Sequence, residues 1–315
     1  MDHRQEGSRS CGAGGEDRIR RVRVSRKCPQ DRLRRLELLR ISDRRLLFVT
    51  GKGGVGKSTI AASVAKVAAR RGKRTLFVSM DGKEPPCTAT TNLTTVVYST
   101  EEALREYIRI YVRIPLVSRL GLLAQTLDFV ADAAPGVKEI LAVGKVCYEV
   151  RANNFDLVVV DAESSGHIAS QLATPRTIRS LAQVGMLREQ TDWMIEMLSD
   201  AATTGVVIVT TPEESPVDET IDLAASVRRE ARVAVPLVVV NRMPPPPPRD
   251  GASIAPRITA TMAGRHELAV EQVRRLGEQV ASGADTEVVI VPRVANDDVI
   301  DSVATVLEEE FGEGL

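Results

Sequence analysis

Aromatic residues are scarce in this chain: 5 Phe, 4 Tyr and 1 Trp make up 3% of 315 residues. A sheet that stacks unpaired bases on aromatic rings needs more, so RNA recognition of that kind is not expected. Net charge is missing as well. The 42 basic and 42 acidic residues cancel, which argues against a chain held to nucleic acid by its overall charge. The 4 cysteines lie at positions 11, 28, 87 and 147, with no Cys-x-x-Cys pair and no grouping with His3, His167 or His266. Neither a zinc site nor a disulfide framework follows from that spacing, and reduced thiols in a cytoplasmic protein are the expectation. No run approaches the roughly 18 apolar residues of a membrane span. The N-terminus carries arginines but no apolar h-region, so no signal peptide is expected.

What remains is an ordinary globular balance, 43% apolar and 27% charged, enough for a sizeable core. The charge is segregated. Residues 1–45 hold 14 Lys/Arg and 7 Asp/Glu, a net of +7, which leaves −7 for the remainder. Residues 1–44 read as a basic arm and 45–315 as a folded domain with helical insertions near 100–150 and 175–200.

From residue 45 the pattern is regular. Continuous apolar runs at 46–50, 75–80, 157–160, 206–210, 236–240 and 288–291 read as strands covered on both faces. Helical periodicity fills 101–112, 137–151, 175–199, 217–231, 258–281 and 296–311. The fold class is therefore α/β: a doubly wound, mostly parallel sheet with helices on both faces and ligands at the C-terminal strand edge. The five prolines Pro244 to Pro248 read as a stiff surface linker.

Gly51-Lys52-Gly53-Gly54-Val55-Gly56-Lys57-Ser58-Thr59 matches G-x-x-x-x-G-K-[ST] between a strand and a helix. Its glycines let backbone N–H groups converge on phosphate oxygens, and the helix N-terminus adds positive potential there. Lys57 is expected to reach the β- and γ-phosphates of ATP and the Ser58 hydroxyl to hold Mg²⁺. Asp81 and Asp161 each end a strand at the same sheet edge. Asp161 fits the Walker B carboxylate, reaching Mg²⁺ through water, and Asp81 fits a group that orients the attacking water. Asn241 follows another strand, where an amide can offer a purine edge both a donor and an acceptor. Pro292, after the last strand, is placed to line the base.

The two-lysine loop resembles the deviant Walker A motif of the arsenite-pump and tail-anchored-protein targeting ATPases, often called anion-transporting ATPases. The resemblance covers roughly residues 45–300. It rests on Phe48 to Thr59, on Asp161-Ala162-Glu163-Ser164-Ser165-Gly166-His167, on Val239-Val240-Asn241 and on Ala134-Pro135-Gly136-Val137-Lys138-Glu139-Ile140. It is closest to the actinobacterial members, which occur as paralogous pairs. It implies a P-loop NTPase fold and a Mg²⁺-dependent ATPase. Lys52 would reach across a two-fold axis to the partner's nucleotide, so that dimer closure, with a second copy or a paralogous ATPase, drives a client or membrane partner. Two departures stand out. Asp81-Gly82-Lys83-Glu84 replaces an Asp-Pro-Ala-His switch, and Glu163-Ser164 replaces Ala-Pro in the second switch. They motivate an alternative, a low-turnover nucleotide-binding regulatory subunit paired with an active paralog. The family's zinc and arsenite cysteines have no counterpart, and the leucine-rich 114–130 and the Met/Trp stripe from Met186 to Leu198 are the client surfaces to consider, although such a stripe is more often core.

Overall fold

The computed structural model describes residues 43–80, 82–98, 137–181, 186–248, 256–280 and 285–311. Asp81, the helix expected at 101–112, the 114–130 segment and nearly all of the basic arm lie outside the described residues.

Seven strands form one parallel sheet: β1 Leu46–Gly51, β2 Thr75–Ser79, β3 Leu93–Val97, β4 Leu157–Asp161, β5 Thr204–Thr210, β6 Leu237–Met243 and β7 Glu287–Pro292. Their spatial order is β3-β2-β4-β1-β5-β6-β7. β1 thus lies between two halves, with β4 on one side and β5 on the other. That arrangement is a topological switch point, where connections leave in opposite directions and open a crevice above the C-terminal strand ends.

Among the described residues the α-helices are α1 Lys57–Arg70, α2 Val137–Arg151, α3 Ser165–Leu181, α4 Met186–Ser199, α5 Glu214–Ser226, α6 Pro256–Val280 and α7 Val299–Phe311. Side chains alternate across each strand, so one apolar run feeds two cores. Leu46, Phe48, Val158, Val160, Val206 and Ile208 face the layer that includes α2, α3 and α5. Leu47, Val49, Leu157, Val159, Val207 and Val209 face α1 and α7. The absence of polar alternation in these strands is the direct consequence of burial on both sides.

The expected strands are all present, and β3 is an addition. Its sequence, Leu-Thr-Thr-Val-Val, is buried only at Leu93, as suits an outermost strand that shows no continuous apolar run. The helix expected at 175–199 is two helices. The first begins ten residues earlier, at Ser165, and carries Pro175 inside it, and the second begins at Met186. Pro175, the first residue of the expected helix, lies inside a helix already formed. The helix expected at 217–231 starts at Glu214 and ends in a π-helical turn over Val227–Ala231. Arg44, counted in the basic arm, belongs to the folded domain. It is buried, and its side chain lies against the Gly205 position together with Pro236. In α4, Met194 and Leu198 are buried and Trp193 and Met197 pack against the core, so that part of the Met/Trp stripe is interior.

Candidate nucleotide-binding site

The Gly51–Thr59 loop leaves the C-terminal end of β1 and enters α1. Three of its glycines hold positive φ: Gly51 at 149°, Gly54 at 84° and Gly56 at 97°. Two have no room for a side chain. A Cβ on Gly51 would meet the Val209 carbonyl oxygen at 2.1 Å, and one on Gly56 would meet Asn241 Nδ2 at 2.4 Å. Gly53 and Gly54, by contrast, have open space where a Cβ would stand. Gly56 occupies the N-cap of α1 in the left-handed region with no side-chain cap. Among the described residues, no acceptor takes the N–H of Gly56 or Ser58. An uncapped helix start with converging N–H donors is an anion site by construction.

Lys57 Nζ lies 3.4 Å from the Lys52 carbonyl oxygen, folded back along the loop. Ser58 and Thr59 are half-buried at the first turn of α1. Asp161 ends β4, is 4% exposed and pairs in register with Val49 of β1. Its backbone accepts from the Met80 N–H at 3.0 Å, and the Ala162 N–H donates to Val49 O at 3.0 Å. The loop and the carboxylate therefore sit on adjacent strands at one edge. Thr50 Oγ1 donates to Glu163 O at 3.0 Å and ties the loop's root to the second switch. Glu163 and Ser164 themselves are exposed.

Lys52 turns toward α5 of its own chain. Its ammonium donates to Ser215 Oγ at 2.8 Å and forms an ion pair with Glu219. Asn241 is 5% exposed. Its Nδ2 donates to Val55 O at 2.9 Å, and its Oδ1 accepts from the Arg242 N–H at 2.9 Å. Arg242 Nη1 donates to Gly54 O at 2.9 Å. The amide expected at a purine edge is thus turned onto the loop. Pro292 is half-buried at the end of β7, opposite Met243.

Sequence reasoning did not find Arg242, the Glu219–Ser215 partners of Lys52 or the Thr50 tie. Arg242 depends on an irregularity between β6 and β7, where Val240 pairs with Ile290 but Met243 pairs with Pro292. No residue pattern announces that extra residue. The Lys52 partners follow from α5 starting at Glu214, three residues before its apolar periodicity begins.

The donor set fits a hard cation: a hydroxyl at Ser58 in the first turn of α1 and a carboxylate at Asp161, at the end of the strand beside β1. The unshared N–H groups and Lys57 fit the phosphates of a nucleotide.

Comparison with known proteins agrees. The family model described as anion-transporting ATPase matches residues 44–189. ATPase BagA of Mycobacterium tuberculosis is 30% identical over 229 residues, covering 64% of this chain and 66% of BagA. The chain belongs to the anion-transporting ATPase family. Its relatives carry the name ATPase. ATPase GET3C of Arabidopsis thaliana is similar at 25% identity over 272 residues, 66% of this chain and 69% of GET3C. ATPase get3 of Schizosaccharomyces japonicus is 28% identical over 177 residues, 51% of this chain and 54% of that protein. The chain spans about two thirds of the length of its mycobacterial relative. The stretch matched by the anion-transporting ATPase model contains the loop and Asp161 and ends before Asn241 and Pro292.

Proposed function

We propose that this chain is a Mg²⁺-dependent ATPase of the cytoplasm, in which ATP at the Gly51–Thr59 loop drives closure of a dimer and, through it, a client or membrane partner. The observation that carries the reading is the uncapped start of α1, with unshared N–H donors and Lys57, beside Asp161 on the strand adjacent to β1. In this reading the loop N–H groups and Lys57 hold the phosphates. Ser58 and Asp161 hold Mg²⁺, which on binding neutralises charge on the phosphate oxygens. Asp81 orients water, and Pro292 stands on the base side of the crevice.

Lys52 has a specific part. Engaged by Glu219 and Ser215, it serves its own chain, and it can serve a partner's nucleotide only by leaving them. Nucleotide-bound closure therefore exchanges one anion for another around the same ammonium. Such an exchange adds a cation to the transferring phosphoryl group only in the closed dimer. The same contact favours the alternative reading, a low-turnover regulatory subunit whose Lys52 stays engaged while a paralogous ATPase turns over.

Binding and association test the reading together. Lys57→Ala should weaken ATP at least tenfold in equilibrium titration, because the phosphates lose a charged donor. Lys52→Ala should bind ATP nearly as well as the wild type but lose ATP-dependent dimerisation in sedimentation. Full ATP affinity in Lys57→Ala would remove the site assignment. ATP-driven dimers in Lys52→Ala would remove the role of the second lysine.

A further inference from the structure

Two consecutive residues of β6 grip two consecutive carbonyls of the phosphate loop. Asn241 Nδ2 donates to Val55 O and Arg242 Nη1 donates to Gly54 O, both at 2.9 Å. The grip depends on a β-bulge: three residues of β6, Asn241 to Met243, advance against two of β7, Val291 and Pro292. Arg242 sits in the left-handed region at φ 60°, a conformation non-glycine residues rarely adopt. The amide orientation of Asn241 is fixed from both ends, because its Oδ1 accepts from the Arg242 N–H. Bulges of this kind re-aim side chains beside functional sites.

A trans peptide unit points its N–H opposite its C=O. The Gly54 carbonyl shares a plane with the Val55 N–H, and the Val55 carbonyl with the Gly56 N–H. Turning both carbonyls toward β6 turns both N–H groups away from it. The Gly56 N–H has no acceptor among the described residues.

We infer that Asn241 and Arg242 act as positioning residues, a bracket on β6 that presets the Val55 and Gly56 N–H groups for the phosphate chain of the nucleotide. The inference rests on the proposed binding of ATP at this loop. It gives Arg242 a role in the site and assigns Asn241 to the phosphates through the backbone. A preset nest avoids the reorganisation that a glycine-rich loop would otherwise undergo on binding.

The bracket acts on whatever carries the phosphates, so its loss is blind to the base. Calorimetric titration of the full chain with ATP and with inorganic tripolyphosphate reads this directly. Arg242→Ala should weaken both ligands by the same factor, about tenfold for one charge-assisted bond. Arg242→Lys, which keeps one donor for Gly54 O, should recover most of that loss. Asn241→Asp places an acceptor against Val55 O and should weaken both ligands at least as much. Loss confined to ATP, with tripolyphosphate unchanged, would overturn the bracket and return these residues to the base. Unchanged binding of both ligands by Arg242→Ala would overturn it too, leaving the nucleotide site itself intact. A wild-type chain that binds neither ligand would remove the nucleotide reading and the bracket together.

Discussion

Gly51 and Gly56 show how closely the loop is pressed between its neighbours. Gly51 combines φ 149° with a Val209 carbonyl 2.1 Å from where a Cβ would stand. Gly51→Ala is therefore strained by backbone conformation alone by about 1–3 kcal/mol, before β1 and β5 are forced apart. Its denaturant midpoint should fall and its ATP affinity with it, whereas Gly53→Ala, facing open space, should change stability far less. Cys147 offers a second test at this scale. Full burial in the apolar layer pushes its thiol up to about 12, and burial also raises Cys87. Since the thiolate is the nucleophile, neither cysteine should react with iodoacetamide in the folded protein at pH 8, and peptide mass mapping should find both unmodified. Rapid labelling of Cys147 would mean that α2 opens readily. The loop residues were legible because the chemistry of phosphate binding restricts the residues themselves. The partners that hold them were not. Arg242 and Glu219 are ordinary polar residues whose reach to Gly54 O and Lys52 is decided by a bulge and by a helix start.

At the scale of elements, α7 is fastened to α1 by polar contacts as well as apolar ones. Ser63 Oγ donates to Ile300 O at 2.9 Å, and Asp301 accepts from Lys66 at 2.7 Å and pairs with Arg70. The Lys66 hydrogen bond holds the Asp301 carboxyl below its ordinary value of 3.8. Across the sheet, hydrogen bonding to Arg74 does the same for Asp156 and joins the starts of β2 and β4. A carboxyl depressed in the folded chain stabilises it fully above the unfolded value, and that stability is lost as pH falls through the folded value. Denaturation midpoints should therefore hold from neutral pH to about pH 5 and decline below about pH 4. Asp301→Asn should be less stable than the wild type at pH 7 by less than about 1 kcal/mol, the pair being partly exposed. The difference should shrink as the solution is acidified, and a difference independent of pH would contradict the role of the pair. The element pattern was readable wherever burial on both faces left an unbroken apolar run. It failed at β3, where an outermost strand needs little apolar surface. It failed again at Ser165, where a helix begins in a run of small polar residues and continues through Pro175.

The whole molecule places one loop at the point where a seven-stranded parallel sheet changes direction. The β4 half brings Asp161 to that crevice, and the β6–β7 side brings Asn241, Arg242 and Pro292. A nucleotide in the crevice would touch both halves, which is the requirement for coupling its turnover to movement between them. Lys52 is the group whose change of partner can be followed. Glu219→Ala removes its charged partner without touching the loop. Freed from a partly exposed ion pair, Lys52 should favour the ATP-bound dimer by roughly two- to fivefold in dissociation constant. Weaker ATP-dependent association in that variant would show that the Glu219 contact supports closure.

The central claim is that this site hydrolyses ATP. The direct measurement is steady-state phosphate release by the purified full chain with ATP and Mg²⁺, with Lys57→Ala as the blank. The account predicts turnover clearly above the blank and its loss when Mg²⁺ is chelated. ATP binding with phosphate release no faster than the blank would contradict it, and would leave the chain as the nucleotide-binding subunit of a machine whose catalysis lies in a paralog.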